Sequence, residues 1–426
     1  MTLNRTLGKA NDRPALVLMH FLGGSGREWD EVVALLGDGY PTLRIDLPGF
    51  GTSAEIPGYT VEAMADFVGA AIEAAQLPRF VLVGHSMSGK VALVLARRMQ
   101  DRGDEHLVGL VLVAPSPPSP EPMGDEKRHM MLGLLGERHE DDRARARSYI
   151  TKNELRDIPP EVEERASLEV LKMNRTAWVA WLMHGSREDW AERVGVLDLP
   201  ALVIAGEKDL SLGPKQQEQY TMPHLRRGVL KTVANCSHLV PMECPPVMAQ
   251  SLREFLGLMG LGGMVVIVAT HYAALPQLVP THFNASGVAD GWGDRSSLWM
   301  LVGIGGFLYV LLTLSRFLPQ SMINLPPMSE EKRAAAIPLT YEMLDWIKVE
   351  IMWIFAWLCW SVVTVATGTR DGLGAWFLPA TIFATVGTAG LTLWCTPLRA
   401  AITCMPTAFP FSGLLAWCRE RLRMAA

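Results

Sequence analysis

The sequence predicts an α/β fold, a mostly parallel sheet with a helical lid, followed by an all-α transmembrane domain. Three observations predict it. Short apolar runs alternate with helix-like stretches through residues 1–257, one charged stretch at about 116–196 interrupts that alternation, and from about 258 onward long uncharged runs dominate. Apolar strands separated by helical patterns are buried on both faces, as in a parallel sheet covered by helices. A chain of 426 residues has room for two or three domains. Its net charge of −5 gives no reason to expect a nucleic-acid partner.

Taken in order, "MTLNRTLGKANDRPALVLMH" has no long apolar core and no small-residue cleavage site, so no signal peptide is expected. Strands are expected at 14–20, 42–46, 79–84, 107–114, 201–206 and 228–234, and helices at 60–76 and 88–101 among others. The lid, about 116–196, opens with "PSPPSPEPMGDEKRH" and turns helix-forming. Cys236 and Cys244 alone of the six cysteines fall in this soluble part, which suits a reducing compartment rather than a disulfide framework.

The stretch "VLVGHSMSGKVAL", 81–93, reads in two ways. As Gly-x-x-x-x-Gly-Lys, Gly84 to Lys90, it matches a phosphate-binding loop. That loop needs Ser or Thr after the lysine to hold magnesium, and Val91 stands there. As Gly-x-Ser-x-(small), Gly84 to Ser88, it matches a nucleophile elbow with Ser86 at a sharp strand-to-helix turn. Ser88 replaces the usual glycine but is small, and Gly89 follows. The elbow demands an acid and then a histidine later in the chain, each just past a strand. "VIAGEKDLSLGP" supplies Asp209 and "VANCSHLVPMECPP" supplies His238. An oxyanion hole needs two backbone N–H groups; those of Met87, after the nucleophile, and Leu22, in "MHFLGGSGREW", are expected to serve. Asp46 is expected to be a structural turn residue, His20 to order the oxyanion loop, and Trp181 and His184 to pack in the core.

"HFLGGSGREW", "DLPGFGTS", "VGHSMSGK", "AGEKD" and "SHLVPMECP" in this order resemble the α/β-hydrolase superfamily, nearest its esterase, cofactor-free haloperoxidase and enol-lactonase-like branch. The resemblance covers about residues 13–257. Phe21 stands where many relatives have glycine. The implied activity is that of a membrane-tethered serine hydrolase cleaving a small ester, thioester or lactone through an acyl-enzyme, with no cofactor and no metal. The alternatives are a haloperoxidase-like perhydrolase on the same triad, and a non-catalytic membrane sensor or immunity-type protein whose hydrolase fold binds a ligand.

The membrane domain, 258–426, is expected to cross the bilayer four times, at about 257–276, 298–315, 351–368 and 374–396. A further run, 400–418, contains Pro406 and Pro410 and reads as interfacial. Arg316, Lys332, Arg333, Lys348, Arg399, Arg419, Arg421 and Arg423 are assigned to one side, Arg295 and Arg370 to the other. Basic loops stay inside. The hydrolase domain is therefore expected to be cytoplasmic and close to the bilayer. "LPQLVPTHFNASGVADGWGDRSS", 275–297, resembles a small bacterial membrane domain of unknown function marked by LP…PxHFN…G…DGW, a resemblance that implies a bacterial inner membrane. It is expected to be a turn-rich cap. His271, His282, Asp290 and Asp294 match no standard metal-site spacing. The last hydrolase helix, 245–258, is expected to bend into the first span at Gly257, Gly260, Gly262 and Gly263.

Overall fold

A computed structural model describes residues 4–6, 14–37, 40–154, 158–317 and 329–374, together with 377, 379, 381 and 382. The chain forms two compact units, Met1–Phe255 and Leu256–Ala426.

The first unit is built on a seven-stranded sheet: β1 (Asn4–Thr6), β2 (Ala15–Met19), β3 (Thr42–Ile45), β4 (Phe80–His85), β5 (Leu107–Val113), β6 (Leu197–Gly206) and β7 (Leu225–Val233). Their spatial order is β1-β3-β2-β4-β5-β6-β7. Edge strand β1 runs antiparallel to β3 and every other pairing is parallel. All six strands expected from the sequence are present. Leu16, Val17, Leu18, Val81, Leu82 and Val83 are wholly buried, because β2 and β4 lie mid-sheet with both faces covered. Helices Val61–Ala75 and Met87–Asp101 fall where the apolar periodicity put them.

Between β5 and β6 the lid contains helices Asp125–Leu135, Asp142–Thr151, Pro160–Lys172 and Arg175–Met183. Trp178 and Trp181 are buried at its centre. His184 departs from the expected core packing: it ends the fourth lid helix and is exposed.

Among the described residues, three helices are long and apolar enough to cross a membrane, within Pro245–Ala274, Ser297–Leu314 and Met343–Ala366. Three details differ from expectation. The first helix runs unbroken from Pro245 to His271, so the glycines end no helix; Gly257 faces Val349 and Tyr309, and Gly260 faces Met352. The third begins earlier than residue 351, as part of Glu330–Ala366. Lys348 is accordingly buried in a helix rather than placed in a loop. Its Nζ lies 3.1 Å from Asp345 Oδ1, 3.4 Å from the Thr313 hydroxyl and 5.3 Å from the centre of the Tyr309 ring. Paired charges of this kind can enter an apolar helix bundle that would reject them singly.

The third difference is the 275–297 segment. It is an antiparallel hairpin of β8 (Leu278–Phe283) and β9 (Ala289–Asp294). The hairpin tip meets the segment after the third helix, where the Leu373 N–H donates to Gly287 O at 2.7 Å and Val288 bridges Gly372. His282 pairs with Asp290 on the exposed hairpin surface. The expected fourth span and the 400–418 run lie outside the described residues, as do Arg399, Arg419, Arg421 and Arg423.

Candidate active site

β4 enters the turn and helix Met87–Asp101 leaves it. Between them Ser86 has φ +54° and ψ −116°. A non-glycine residue at positive φ is strained and persists only where its surroundings hold it. Here the Ser86 N–H donates to Val113 O, and Ser86 O accepts from the Gly89 and Ser116 N–H groups, each at 2.9 Å. A Cβ on Gly84 would stand 2.7 Å from Ser88 O, so glycine is needed there. Ser88 fits the fifth position because its hydroxyl accepts from the His85 N–H at 2.9 Å and donates to His85 O at 3.0 Å.

Lys90 shows why this is no phosphate loop. Its side chain is wholly buried. Nζ donates to the carbonyls of Gly185, Ser186 and Glu188 at 3.4, 3.3 and 2.9 Å, beneath the lid's exit. Burial pushes its pKa down to about 8 from 10.5, against the opposing pull of Glu121, Glu188 and Asp189. Between those two values the unfolded chain binds more protons than the folded one, so this group makes stability rise with pH there. We predict that Lys90→Ala leaves three carbonyls unsatisfied and costs about 3 kcal/mol or more. Denaturant unfolding should show that loss, and stability between pH 8 and 10.5 should flatten. Calorimetry should detect no ATP binding to either form; micromolar binding that the substitution removes would restore the phosphate-loop reading.

The three residues expected to act together are adjacent. Ser86 Oγ lies 2.9 Å from His238 Nε2, and His238 Nδ1 lies 2.7 Å from Asp209 Oδ2. Asp209 sits in the turn after β6, where Oδ1 accepts from the Ser211 and Leu212 N–H groups at 2.8 and 3.0 Å. Burial raises the Asp209 pKa, but the His238 charge and these hydrogen bonds outweigh it and hold the carboxyl well below its ordinary range. Burial likewise pushes His238 down, and Asp209 outweighs it, leaving the imidazole pKa raised above 6.5. Gly206 permits this approach of two loops, since a Cβ there would lie 2.0 Å from Ser237 O.

Met87 follows Ser86 directly, and Leu22 follows β2, the strand paired in parallel with β4. Their backbone N–H groups have no hydrogen-bond partner among the described residues. That of Met87 opens a helix and so lacks a helical acceptor. The Tyr149 hydroxyl, from the lid, donates to Leu22 O at 2.9 Å. His20 Nε2 accepts from the Leu47 N–H at 3.0 Å while Nδ1 donates to Phe21 O at 2.7 Å. Asp46 closes its own turn, accepting from the Gly26 and Thr52 N–H groups, both at 2.7 Å.

Sequence reasoning missed several residues that hold this site. Glu243 accepts from the N–H groups on both sides of His238, those of Ser237 and Leu239, each at 3.0 Å. Lid residue Asn153 accepts the His238 N–H through its backbone carbonyl at 3.2 Å. Glu28 and His85 are buried beneath the elbow and contact each other. The spacing of Glu243, five residues after His238 and at the end of the short helix Val240–Glu243, was the one available signal. Ser86 is 8% exposed, so the lid leaves the site nearly closed. A cavity of about 10 Å³ lies beside Phe21, Glu28 and Met242.

The alpha/beta hydrolase family profile matches residues 16–251, more than half of the chain, and the chain belongs to that family. A domain of unknown function, DUF1648, matches residues 259–306. Among curated relatives, the chain is 27% identical over 252 residues to 2-succinyl-6-hydroxy-2,4-cyclohexadiene-1-carboxylate synthase of Salmonella newport, covering 58% of this chain and 94% of that protein. It is 24% identical over 258 residues to the uncharacterized hydrolase YugF of Bacillus subtilis, covering 57% and 90%. Among solved structures, a thermophilic esterase from Thermogutta terrifontis superposes with TM-score 0.50 at 25% identity, covering 61% of this chain and 93% of that one. An esterase from Exiguobacterium antarcticum superposes with TM-score 0.51 at 17% identity, covering 59% and 94%, a likeness of fold.

Proposed function

We propose that the protein is a membrane-tethered serine hydrolase that cleaves a small ester, thioester or lactone. The carrying observation is the unbroken Ser86–His238–Asp209 hydrogen-bond chain at the strained elbow. His238 Nε2 takes the Ser86 proton as Oγ attacks the acyl carbon. Asp209 fixes the ring tautomer and stabilises the imidazolium. The unpartnered N–H groups of Leu22 and Met87 receive the developing oxyanion. His238 then returns the proton to the leaving group, and water releases the acyl group by the same steps in reverse order. Likeness to proteins named hydrolase and esterase supports this reading. A fluorophosphonate probe should label the wild-type chain at Ser86; absence of labelling, together with no turnover of short acyl esters, would sink the proposal.

For the membrane domain we propose that the hydrolase faces the cytoplasm and the β8–β9 hairpin faces out. The contact of Gly287 with Leu373 supports the pairing of the first and third inter-span loops on one side. Ser286 and Ser329 are both exposed. With the native cysteines replaced, a cysteine at 286 should react with an impermeant maleimide in intact cells, and one at 329 only after lysis. The reverse pattern would invert the topology.

A further inference from the structure

We propose that Glu28 and His85 are positioning residues: a buried strut that fixes the oxyanion loop relative to the loop carrying His238. This rests on the serine-hydrolase reading and assigns a role to two residues that the triad does not use.

Both side chains are almost wholly buried, Glu28 at 4% and His85 at 0% exposure. Glu28 Oε2 accepts the Phe21 N–H at 3.2 Å. Its Oε1 lies 3.2 Å from His85 Nδ1, and His85 Nε2 lies 2.9 Å from His238 O. A carbonyl only accepts, so Nε2 carries a hydrogen and donates it. The path therefore runs from one backbone amide to one backbone carbonyl through two side chains. Its ends are well chosen. Phe21 immediately precedes Leu22, whose N–H is assigned to the oxyanion. The carbonyl at the other end belongs to His238 itself. The middle of the path, His85, immediately precedes Ser86. Three separate chain segments that must agree to within a fraction of an ångström thus meet at one pair.

Stability alone gives no reason for this arrangement. Burying a carboxyl–imidazole pair, which must share a proton between Glu28 Oε1 and His85 Nδ1, costs free energy that apolar residues of the same size would not, and such pairs are often replaced without loss of stability. What apolar residues cannot do is hold an amide and a carbonyl at fixed distances. The Phe21 ring lies against that of His85, with centroids 5.6 Å apart. A shift of about 1 Å in a reacting group can cost about 100-fold in rate.

The test uses the full-length chain in detergent micelles, with a 4-nitrophenyl short-chain ester as substrate and an alkyl boronic acid as mimic of the tetrahedral intermediate. The double substitution Glu28→Leu with His85→Phe leaves no orphaned charge but takes the partners of the Phe21 N–H and the His238 carbonyl, so it should fold with a melting temperature several degrees below that of the wild type. Its kcat should fall about 10- to 100-fold, with KM within about twofold and boronate affinity weakened by the same factor as kcat/KM. Glu28→Gln, whose carbonyl can accept the Phe21 N–H while its amide donates to His85 Nδ1, should keep kcat within about threefold of the wild type and so rescue what the double substitution loses. Unchanged kcat in the double variant, or lost kcat with unchanged boronate affinity, would overturn the proposal. Wild type that neither turns over the ester nor takes a fluorophosphonate would instead overturn the hydrolase reading.

Discussion

Replacing Ser86 with alanine should lower kcat for any accepted ester by about 10⁴-fold or more while leaving the fold intact. The side-chain oxygen is the only atom lost. Its recorded partner is His238 Nε2, which keeps its other anchor to Asp209. The strained backbone at this position is held by Val113, Gly89 and Ser116 through main-chain atoms that alanine retains. Circular dichroism and melting temperature should therefore match the wild type within a few degrees, and fluorophosphonate labelling should vanish. Near-normal turnover in a correctly folded variant would remove Ser86 from the mechanism. A fall in activity accompanied by unfolding would be ruled inconclusive by the same spectra and would call for Ser86→Cys, which keeps a nucleophile of similar size.

Asp209→Asn should cost about 10³- to 10⁴-fold in kcat, and it should also move the pH profile. The base form of His238 is the neutral imidazole. With its pKa raised above 6.5 by Asp209, kcat/KM for the wild type should rise with pH and reach half its plateau above pH 6.5. Asparagine removes the charge that favours the imidazolium while burial remains, so the half-maximal pH should fall even as the plateau drops. The stability effect has the matching sign. A carboxyl held below 3.8 stabilises the fold at higher pH and loses that contribution on acidification. An imidazole raised above 6.5 stabilises the fold below that value and loses its contribution as pH rises through the folded pKa. The pair should thus help the wild type most between those limits, and the Asp209→Asn variant should lose that help. A pH profile that keeps its midpoint after the substitution would show that Asp209 does not set the His238 titration.

Much of the candidate site could be read in the chain because its parts are local. An elbow is a five-residue pattern, and its acid and histidine each follow a short apolar strand. The scaffolding around them was not legible. Glu28 and His85 are 57 residues apart, and Tyr149 reaches Leu22 across 127; such partners carry no periodicity and are fixed only by tertiary packing. The hairpin at 278–294 was hidden by Pro280 and by three glycines within or beside its strands, which lower strand propensity. The third apolar helix started early because Asp345 and Lys348 compensate each other, a fact that hydropathy scores as two penalties.

The lid's bonds to the loops of the proposed triad bear on how this protein could be re-engineered. The helix Asp142–Thr151 and the residue two beyond it supply both the Tyr149 hydroxyl on Leu22 and the Asn153 carbonyl on His238. In many scaffolds a lid is a cassette, exchangeable for a relative's to import a different substrate range. Here a graft that omitted those two groups would bring its pocket and discard part of the framework behind the proposed oxyanion hole and base. A working chimera should keep the segment from Tyr149 to Asn153 and exchange only what lies outside it. The same coupling means that variation selected for a new substrate is confined to the remaining lid helices, so substrate range and chemical competence can drift independently in only part of the insertion.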